Sequence, residues 1–248
     1  MANRFYSQDE QRAARVNDLF RRIAPRYDLI NDLQSFGLHR RWKRRVVRLA
    51  AVQSGDRALD LCCGTGDIAF ALGNAGAEVV GLDFTQAMLD VANDRRSKLD
   101  SAAQQRTTFI RGDAQQISFP DNSFDVVTVG YGLRNLSSWE TGLCEMNRVA
   151  KPGGRLLVLE FGKPDNALWR WCYFTYLKMF VPVLGWVFCR NAAAYAYILE
   201  SLKHYPAQRG IAEKMKKLGM QNVQIVNLLG GVMSINYGEK PAAASNQH

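Results

Sequence analysis

Four carboxylates recur in this chain just after short apolar runs. Asp60 ends "RALD", Asp67 follows the glycine turn of "CCGTGD", Asp83 ends "AEVVGLD", and Asp113 sits in "IRGDA". The stretch "ALDLCCGTGDIAF" (58–70) reads as a strand, a turn built on Gly64 and Gly66, and a helix. It fits the permissive G-x-G-x-x-G/A dinucleotide fingerprint, so NAD is one candidate ligand. A pyrophosphate there would face Asp60 across the turn and Asp67 at the helix start. Like charges in a partly dry cleft cost several kcal/mol. A ligand carrying a sulfonium and an ammonium against one carboxylate has the opposite preference, which makes S-adenosylmethionine the favoured cofactor. Gly64 and Gly66 let the main chain approach it. Asp83 suits a ribose diol in either cofactor. Asp113 can accept from an adenine amino group, with Ala114 along the ring. No metal site is expected, because the cysteines (62, 63, 144, 172, 189) lack CxxC spacing.

The elements that must hold these acids follow from the pattern. Helices are expected over 9–23 and 38–51, joined by "IAPRYDLINDLQSFG", whose Pro25, Asn31, Asp32 and Gly37 mark turns. Strands then alternate with helices: "RALDLC", a helix over 67–74, "AEVVGLDF", a helix capped by Thr85, "TTFIRGD", "SFDVVTVGYG", a helix capped by Ser137 or Ser138, a "KPGG" turn and "RLLVLEFG". Such repetition predicts an α/β, Rossmann-like fold, with ligands at the carboxyl ends of the strands. Helices near 194–204 and 209–218 precede "NVQIVNLL" and "GVMSINYG". With only Gly230-Gly231 between them, these last segments should form a hairpin. The expected sheet is seven-stranded and mostly parallel, with one antiparallel strand.

The 248 residues, 47% of them hydrophobic, suffice for one domain with a buried core. Its expected parts are a basic helical segment (1–52), a donor-binding core (53–163), an aromatic insert (164–205), a helix and hairpin (206–240) and a tail (241–248). Residues 1–48 hold twelve Lys/Arg against five Asp/Glu, a net of +7 out of +9. The cluster "RRWKRR" (40–45) could meet an anionic membrane, nucleic acid or an acidic ligand; a solvated helix face is the plain alternative. The first eighteen residues lack the apolar core of a signal peptide, and the cysteine usage fits a reducing cytosol. The longest uncharged stretch of the insert, Met179 to Cys189, is eleven residues, too short to span a bilayer.

Longer segments carry a resemblance. "YDLINDLQSFGLHRRWKR" (27–44), "GYGLRN" (130–135), "RVAKPGGRLLVLEFGKP" (148–164) and "YILESLKHYPAQ" (197–208) resemble, in order, segments of the ubiquinone/menaquinone biosynthesis C-methyltransferase family, a branch of the class I S-adenosylmethionine-dependent methyltransferases. The resemblance implies that Thr65, Asp83, Asp113, Ala114 and Gly130 contact the methyl donor. Cys63 stands where many relatives have glycine, and Gly130 where many have serine. Gln34 and Arg41 stand where apolar residues are usual. The Cys62-Cys63-Gly64 version resembles the phylloquinone-type branch.

The loop after the fourth strand has neither the Asn/Asp-Pro-Pro-aromatic pattern of amine methylation nor a cysteine for cytosine-carbon chemistry. A quinol fits what remains: ionising its phenol drives the neighbouring ring carbon onto the methyl. Arg134 can hold the oxyanion but is a poor base. Asn135 can orient the ring oxygen, and the resemblance adds Tyr27. The competing reading of Arg134 is an ion pair with Glu160. His39 and His204 are bases by type but are expected to be structural. Trp169, Trp171, Phe174, Phe180 and Trp186 could line a channel for a prenyl tail, or simply extend the core. The function expected is C-methylation of a prenylated quinol, foremost demethylmenaquinol, at an anionic membrane surface. A ubiquinone-precursor benzoquinol or a phytyl-naphthoquinol is the neighbouring choice. No nucleic-acid partner is expected, and a homodimer stays open. The alternatives are methylation of another lipid or small aromatic, an RNA-binding methyltransferase, or a non-catalytic donor-binding module.

Overall fold

Parallel strands buried on both faces read as near-continuous apolar runs, and the centre of this chain folds accordingly. The computed structural model describes residues 12–189, 199, 201–202 and 205–242. Along the chain come α1 (Arg12–Ile23), a 3₁₀ turn (Ala24–Arg26), α2 (Tyr27–Ser35), α3 (Leu38–Ala50), β1 (Arg57–Leu61), α4 (Asp67–Asn74), β2 (Glu78–Asp83) and α5 (Gln86–Ser97). Then follow α6 (Ser101–Arg106), β3 (Thr107–Arg111), β4 (Phe124–Gly130), a 3₁₀ turn (Leu133–Asn135), α7 (Trp139–Val149), β5 (Ala150–Phe161) and α8 (Ala167–Cys189). The chain closes on α9 (Ala207–Lys217), β6 (Gln221–Leu228) and β7 (Met233–Glu239).

The strands form one seven-stranded sheet in the order β3-β2-β1-β4-β5-β7-β6. β1 through β5 pair in parallel, while β7 runs antiparallel to both β5 and β6. The expected doubly wound sheet with its C-terminal hairpin is therefore what forms. Order reverses at β1, beside β4, so the crevice at the carboxyl ends of β1, β2 and β4 is the natural ligand position. One buried cluster joins Leu61, Leu82, Val127, Leu143, Leu156 and Ile211 on one face of the sheet. A second joins Trp42, Val46, Ile68, Leu72 and Leu157 on the other. A third, Val16, Leu19, Ile30, Tyr173, Leu177 and Leu202, lies among α1, α2, α8 and the short helical stretch at 201–202.

Several boundaries differ from expectation. The turn-like stretch before α3 contains a helix, α2: Pro25 occupies the first turn of a 3₁₀ segment, where its missing N–H costs nothing. The helix ends only at Phe36 and Gly37, both left-handed (φ +51° and +73°). α6 was unforeseen; Asp100 caps it by accepting from the Ala103 N–H. Strand β5 begins at Ala150, so "KPGG" lies inside the strand rather than before it. Thr85 precedes α5 without a side-chain cap bond, whereas Ser138 caps α7 by accepting from the Thr141 N–H. Most of the helix expected over 194–204, His204 included, lies outside the described residues.

Candidate active site

At the end of β1 the chain turns sharply. Cys62, Gly64 and Gly66 take positive φ (+49°, +56° and +88°), and a Cβ on Gly66 would come within 2.8 Å of the Phe70 and Phe109 rings. Gly66 thus serves packing of the turn against β3, and only glycine fits. Two of the turn's amides are already spent: Gly64 N–H donates to Asp83 Oδ2 (2.8 Å) and Gly66 N–H to the Cys63 carbonyl (2.9 Å). A pyrophosphate needs such amides free. Asp83, at the end of β2, accepts a second bond at Oδ1 from Thr85 N–H (2.8 Å). Burial raises its pKa, and these main-chain bonds oppose the rise.

A cavity opens beside this turn. Gly64, Asp83, Asp113, Ala114, Gly130 and Asn135 line it, together with Cys62, Thr85, Met88 and Gln115. Residues Ala13, Val16, Asn17 and Phe20 of α1 cover it. A small adjoining cavity contains Asp60, Thr65, Lys43 and Asp67, and shares Gly64, Gly130, Tyr27 and Tyr131 with the first. Asp60 is 1% exposed; its Oδ1 accepts from Thr128 Oγ1 (2.7 Å), while its Oδ2 has no hydrogen-bond partner. Burial pushes its pKa up to about 7, against the pull of the Thr128 bond, the Lys43 charge and the Ala69 amide. A buried carboxylate oxygen left unmatched beside a cavity fits a cationic ligand.

Two expectations about the turn change. Asp67 does not face a ligand as a bare acid: Oδ2 accepts from Lys43 (2.7 Å) and Oδ1 from Arg95 (2.7 Å). Its pKa falls to about 2 because these cations outweigh its burial. The charge argument against a dinucleotide therefore rests on Asp60 and on the spent amides, not on Asp67. Thr65 is 2% exposed and donates to Asp28 Oδ1 (2.8 Å), tying the turn to α2; neither it nor Gly66 lines the larger cavity.

A second cavity lies between α1, α2, α3, α8 and the Tyr131–Arg134 loop. It is lined by Leu19, Ile23, Ile30, Trp42, Phe161, Tyr173, Tyr176 and Leu177, with Asn31, Gln34, His39 and Arg134 as polar members. Phe20, Tyr27 and Tyr131 belong to both large cavities and mark where they meet. Arg134 is 8% exposed and donates from Nη1 to Glu160 Oε1 (2.7 Å) and the Tyr131 carbonyl (2.7 Å). Its guanidinium lies 4.6 Å from the Phe161 ring centroid. The ion pair with Glu160 is thus real, and it coexists with a place in the apolar wall. Asn135 donates to the Tyr131 carbonyl (3.1 Å) and lines the donor-side cavity instead.

The aromatic insert is corrected most. Its wall is Tyr173–Tyr176–Leu177, one face of α8, and not the residues expected. Trp169 is 41% exposed and donates to the Leu229 carbonyl (3.0 Å). Phe180 is 59% exposed and stacks on Tyr176. Phe174 packs on the cluster of Val16, Leu19 and Leu177 without lining the cavity. The side chain of Trp186 lies outside the described residues.

Tyr131 was overlooked. It has φ +60°, unusual for a bulky residue, and its buried hydroxyl has no hydrogen-bond partner. Its position between two glycines was the available signal.

Comparison with known proteins agrees with this geometry. The ubiE/COQ5 methyltransferase family model matches residues 7–240. The chain is 42% identical over 237 residues to Ubiquinone/menaquinone biosynthesis C-methyltransferase UbiE of Ectopseudomonas mendocina, covering 94% of this chain and 91% of that one. The enzyme of the same name from Azotobacter vinelandii is 41% identical, with 94% and 92% covered. Among solved structures, the [4+2]-cyclase SpnF superposes with a TM-score of 0.64 over 93% of this chain and 97% of that one, at 17% identity, a likeness of fold alone. The chain belongs to the ubiE/COQ5 methyltransferase family, and its cofactor is S-adenosylmethionine.

Proposed function

We propose that this chain transfers a methyl group from S-adenosylmethionine to a ring carbon of a prenylated quinol, demethylmenaquinol foremost and the ubiquinone-precursor benzoquinol next. The observation that carries the reading is the junction: a cavity bearing Asp83 and Asp113 meets an aromatic one at Phe20, Tyr27 and Tyr131. The named role of the 42% identical relative in ubiquinone and menaquinone biosynthesis supports the same class of acceptor. Cysteine-mediated chemistry has no support, because burial and the Asp83 charge hold the Cys62 thiol well above its ordinary pKa.

The bound cofactor supplies an electrophilic methyl carbon on a positively charged sulfur. The chain's own residues do the rest. Asp60 offers a negative charge at the turn, Asp83 takes the ribose hydroxyls, and Asp113 with Ala114 takes the adenine. Gly130 leaves room at the end of β4. Across the junction Arg134 donates to the ring oxygen as charge develops, with Tyr27 and Asn135 fixing the ring. Aromatic walls exclude water, which strengthens each of these interactions.

The tail enters from a lipid surface. Leu168, Trp171, Met179, Phe180 and Val183 of α8 and Phe36 before α3 are exposed, as are Arg41, Arg44 and Arg45 of α3. Exposed aromatic side chains and arginines suit an anionic interface. No described helix is long and apolar enough to cross a membrane, so the attachment proposed is peripheral, on the cytoplasmic side. An assay with labelled methyl donor and reduced naphtho- and benzoquinols of several tail lengths tests the reading. Methylated quinol, favoured by longer tails, is expected; no product from any quinol would sink it.

A further inference from the structure

The quinol reading leaves one task unassigned: something must accept the hydroxyl proton as the ring carbon gains its methyl. The cavity wall narrows the choice. Arg134 is charged at any working pH and engaged with Glu160. Tyr27, Tyr131, Tyr173 and Tyr176 have pKa values raised by burial, so none is anionic. Among the described residues lining the aromatic cavity, that leaves the His39 imidazole.

Its setting is that of a positioned base. His39 is 3% exposed, and its Nε2 donates to Asp32 Oδ1 at 2.9 Å. The other ring nitrogen, Nδ1, is buried without a hydrogen-bond partner. Asp32 is itself held by Arg40 through Nε to Oδ1 (2.9 Å) and Nη2 to Oδ2 (2.6 Å). The α2–α3 turn through Phe36 and Gly37 sets the carboxylate of one helix against the imidazole of the next, and Gly37 N–H donates to the Asp32 carbonyl. A carboxylate on one ring nitrogen fixes the tautomer and leaves a lone pair on the other.

We propose that His39, oriented by Asp32, takes the hydroxyl proton of the quinol as the neighbouring ring carbon is methylated. This rests on the quinol reading above. The hydroxyl proton moves to Nδ1, and the oxygen's electrons pass through the ring to the carbon. The new carbon–carbon bond forms as the methyl–sulfur bond breaks, with that pair staying on sulfur. Loss of the ring hydrogen to solvent as a proton restores aromaticity, and the imidazolium returns its proton to the oxygen. One proton is released per methyl, which balances the charge lost from sulfur. Burial lowers the His39 pKa and so keeps the ring neutral near pH 7; the Asp32 bond opposes this, Lys43 on α3 adds to it, and Asp67 on α4 opposes it. Arg134 and the phenols of Tyr27, Tyr131, Tyr173 and Tyr176 share its cavity.

The variant His39→Gln keeps a side-chain N–H for Asp32 and removes the lone pair. In steady-state assays of quinol methylation we expect kcat to fall by about 10²-fold or more. Quinol KM and S-adenosylmethionine affinity should stay within about threefold, and the acid limb of kcat at saturating S-adenosylmethionine should vanish. A quinol acidic enough to be ionised at the assay pH should regain most of the lost rate. Asp32→Asn provides a second readout should the histidine variant not fold. Asp32 raises the His39 pKa, so its loss should move the acid limb to lower pH. A His39→Gln enzyme with wild-type kcat and an unchanged acid limb overturns the dyad alone, as does an acid limb unmoved by Asp32→Asn. A wild type that methylates no quinol overturns the quinol reading and the dyad together.

Discussion

The two cavities that meet at Tyr27 and Tyr131 hold charge in opposite ways. On the donor side, Asp83 is bound by main-chain amides at strand ends, and Asp60 by the Thr128 hydroxyl with the Ala69 amide and the Lys43 charge acting on it. On the acceptor side every charge is matched by another side chain: Arg134 by Glu160, Asp32 by Arg40 and His39. Charge held by the main chain keeps its sign toward a ligand. Charge held by a partner is largely spent on the fold, and can orient a neutral substrate without drawing in an ionic one. A cationic cofactor and an uncharged lipid quinol ask for this division.

The sharpest way to break the comparison is Asp83→Ala. Two hydrogen bonds from a ribose to a charged group are worth about 3–6 kcal/mol together, so donor affinity should drop by roughly 10²–10⁴-fold. The Gly64 and Thr85 amides also lose their acceptor. Isothermal calorimetry of S-adenosylmethionine binding measures the drop. An affinity within threefold of wild type would put the ribose elsewhere.

The contrast also governs what the sequence reveals. Asp60, Asp83 and Asp113 sit at or just beyond strand ends, and buried strands announce themselves as short apolar runs, so each is legible in its own ten residues; Gly130, at the end of β4, comes from the family resemblance alone. The acceptor side comes from α1, α2, α3, α8 and the 131–134 loop, distant in sequence and joined only by packing. Helix α2 was hidden because Asn31 and Asp32 look like turn residues, and only the Asp32–His39 and Asp32–Arg40 bonds explain Asp32 inside a helix. Helix α8 is apolar around most of its circumference, so no periodic contrast marks Tyr173, Tyr176 and Leu177 as its inner face. Nor could the pattern show that Lys43, within a basic run, is 8% exposed and tied to Asp67.

Next in size is the buried pair on the acceptor side. Glu160→Gln leaves Arg134 charged and buried without its carboxylate, at a cost of about 3–5 kcal/mol in folding stability. The double change Arg134→Met with Glu160→Met removes both charges and should recover most of that loss, since a buried pair is a weak net stabiliser. Quinol methylation should stay defective in the double variant, because the proposed donor to the ring oxygen, Arg134, is gone. Denaturant unfolding and the methylation assay together separate fold from chemistry. Equal stability of wild type and Glu160→Gln would show the pair to be solvated and the comparison mistaken.

The smallest effect concerns Asp60 and is the most direct probe of the donor side. Its pKa of about 7 in the free protein exceeds the ordinary carboxylate value because burial disfavours the anion. The folded chain therefore binds this proton more tightly than the unfolded chain does. The contribution to stability is fully present below pH 4 and is lost as pH rises through 7. A cation placed beside the carboxylate reverses that preference, so S-adenosylmethionine binding must expel the proton wherever Asp60 starts protonated. Affinity should rise about tenfold per pH unit up to neutrality and level off above it, a difference of roughly 2.7 kcal/mol between pH 5 and pH 7. Calorimetry at pH 6 in buffers of different ionisation enthalpy should show up to one proton released. Asp60→Asn should bind more weakly at pH 8 and lose the slope. A wild-type affinity flat from pH 5 to 8 would mean that Asp60 never meets the positive charge, and that the donor side, like the acceptor side, spends its acids on the fold.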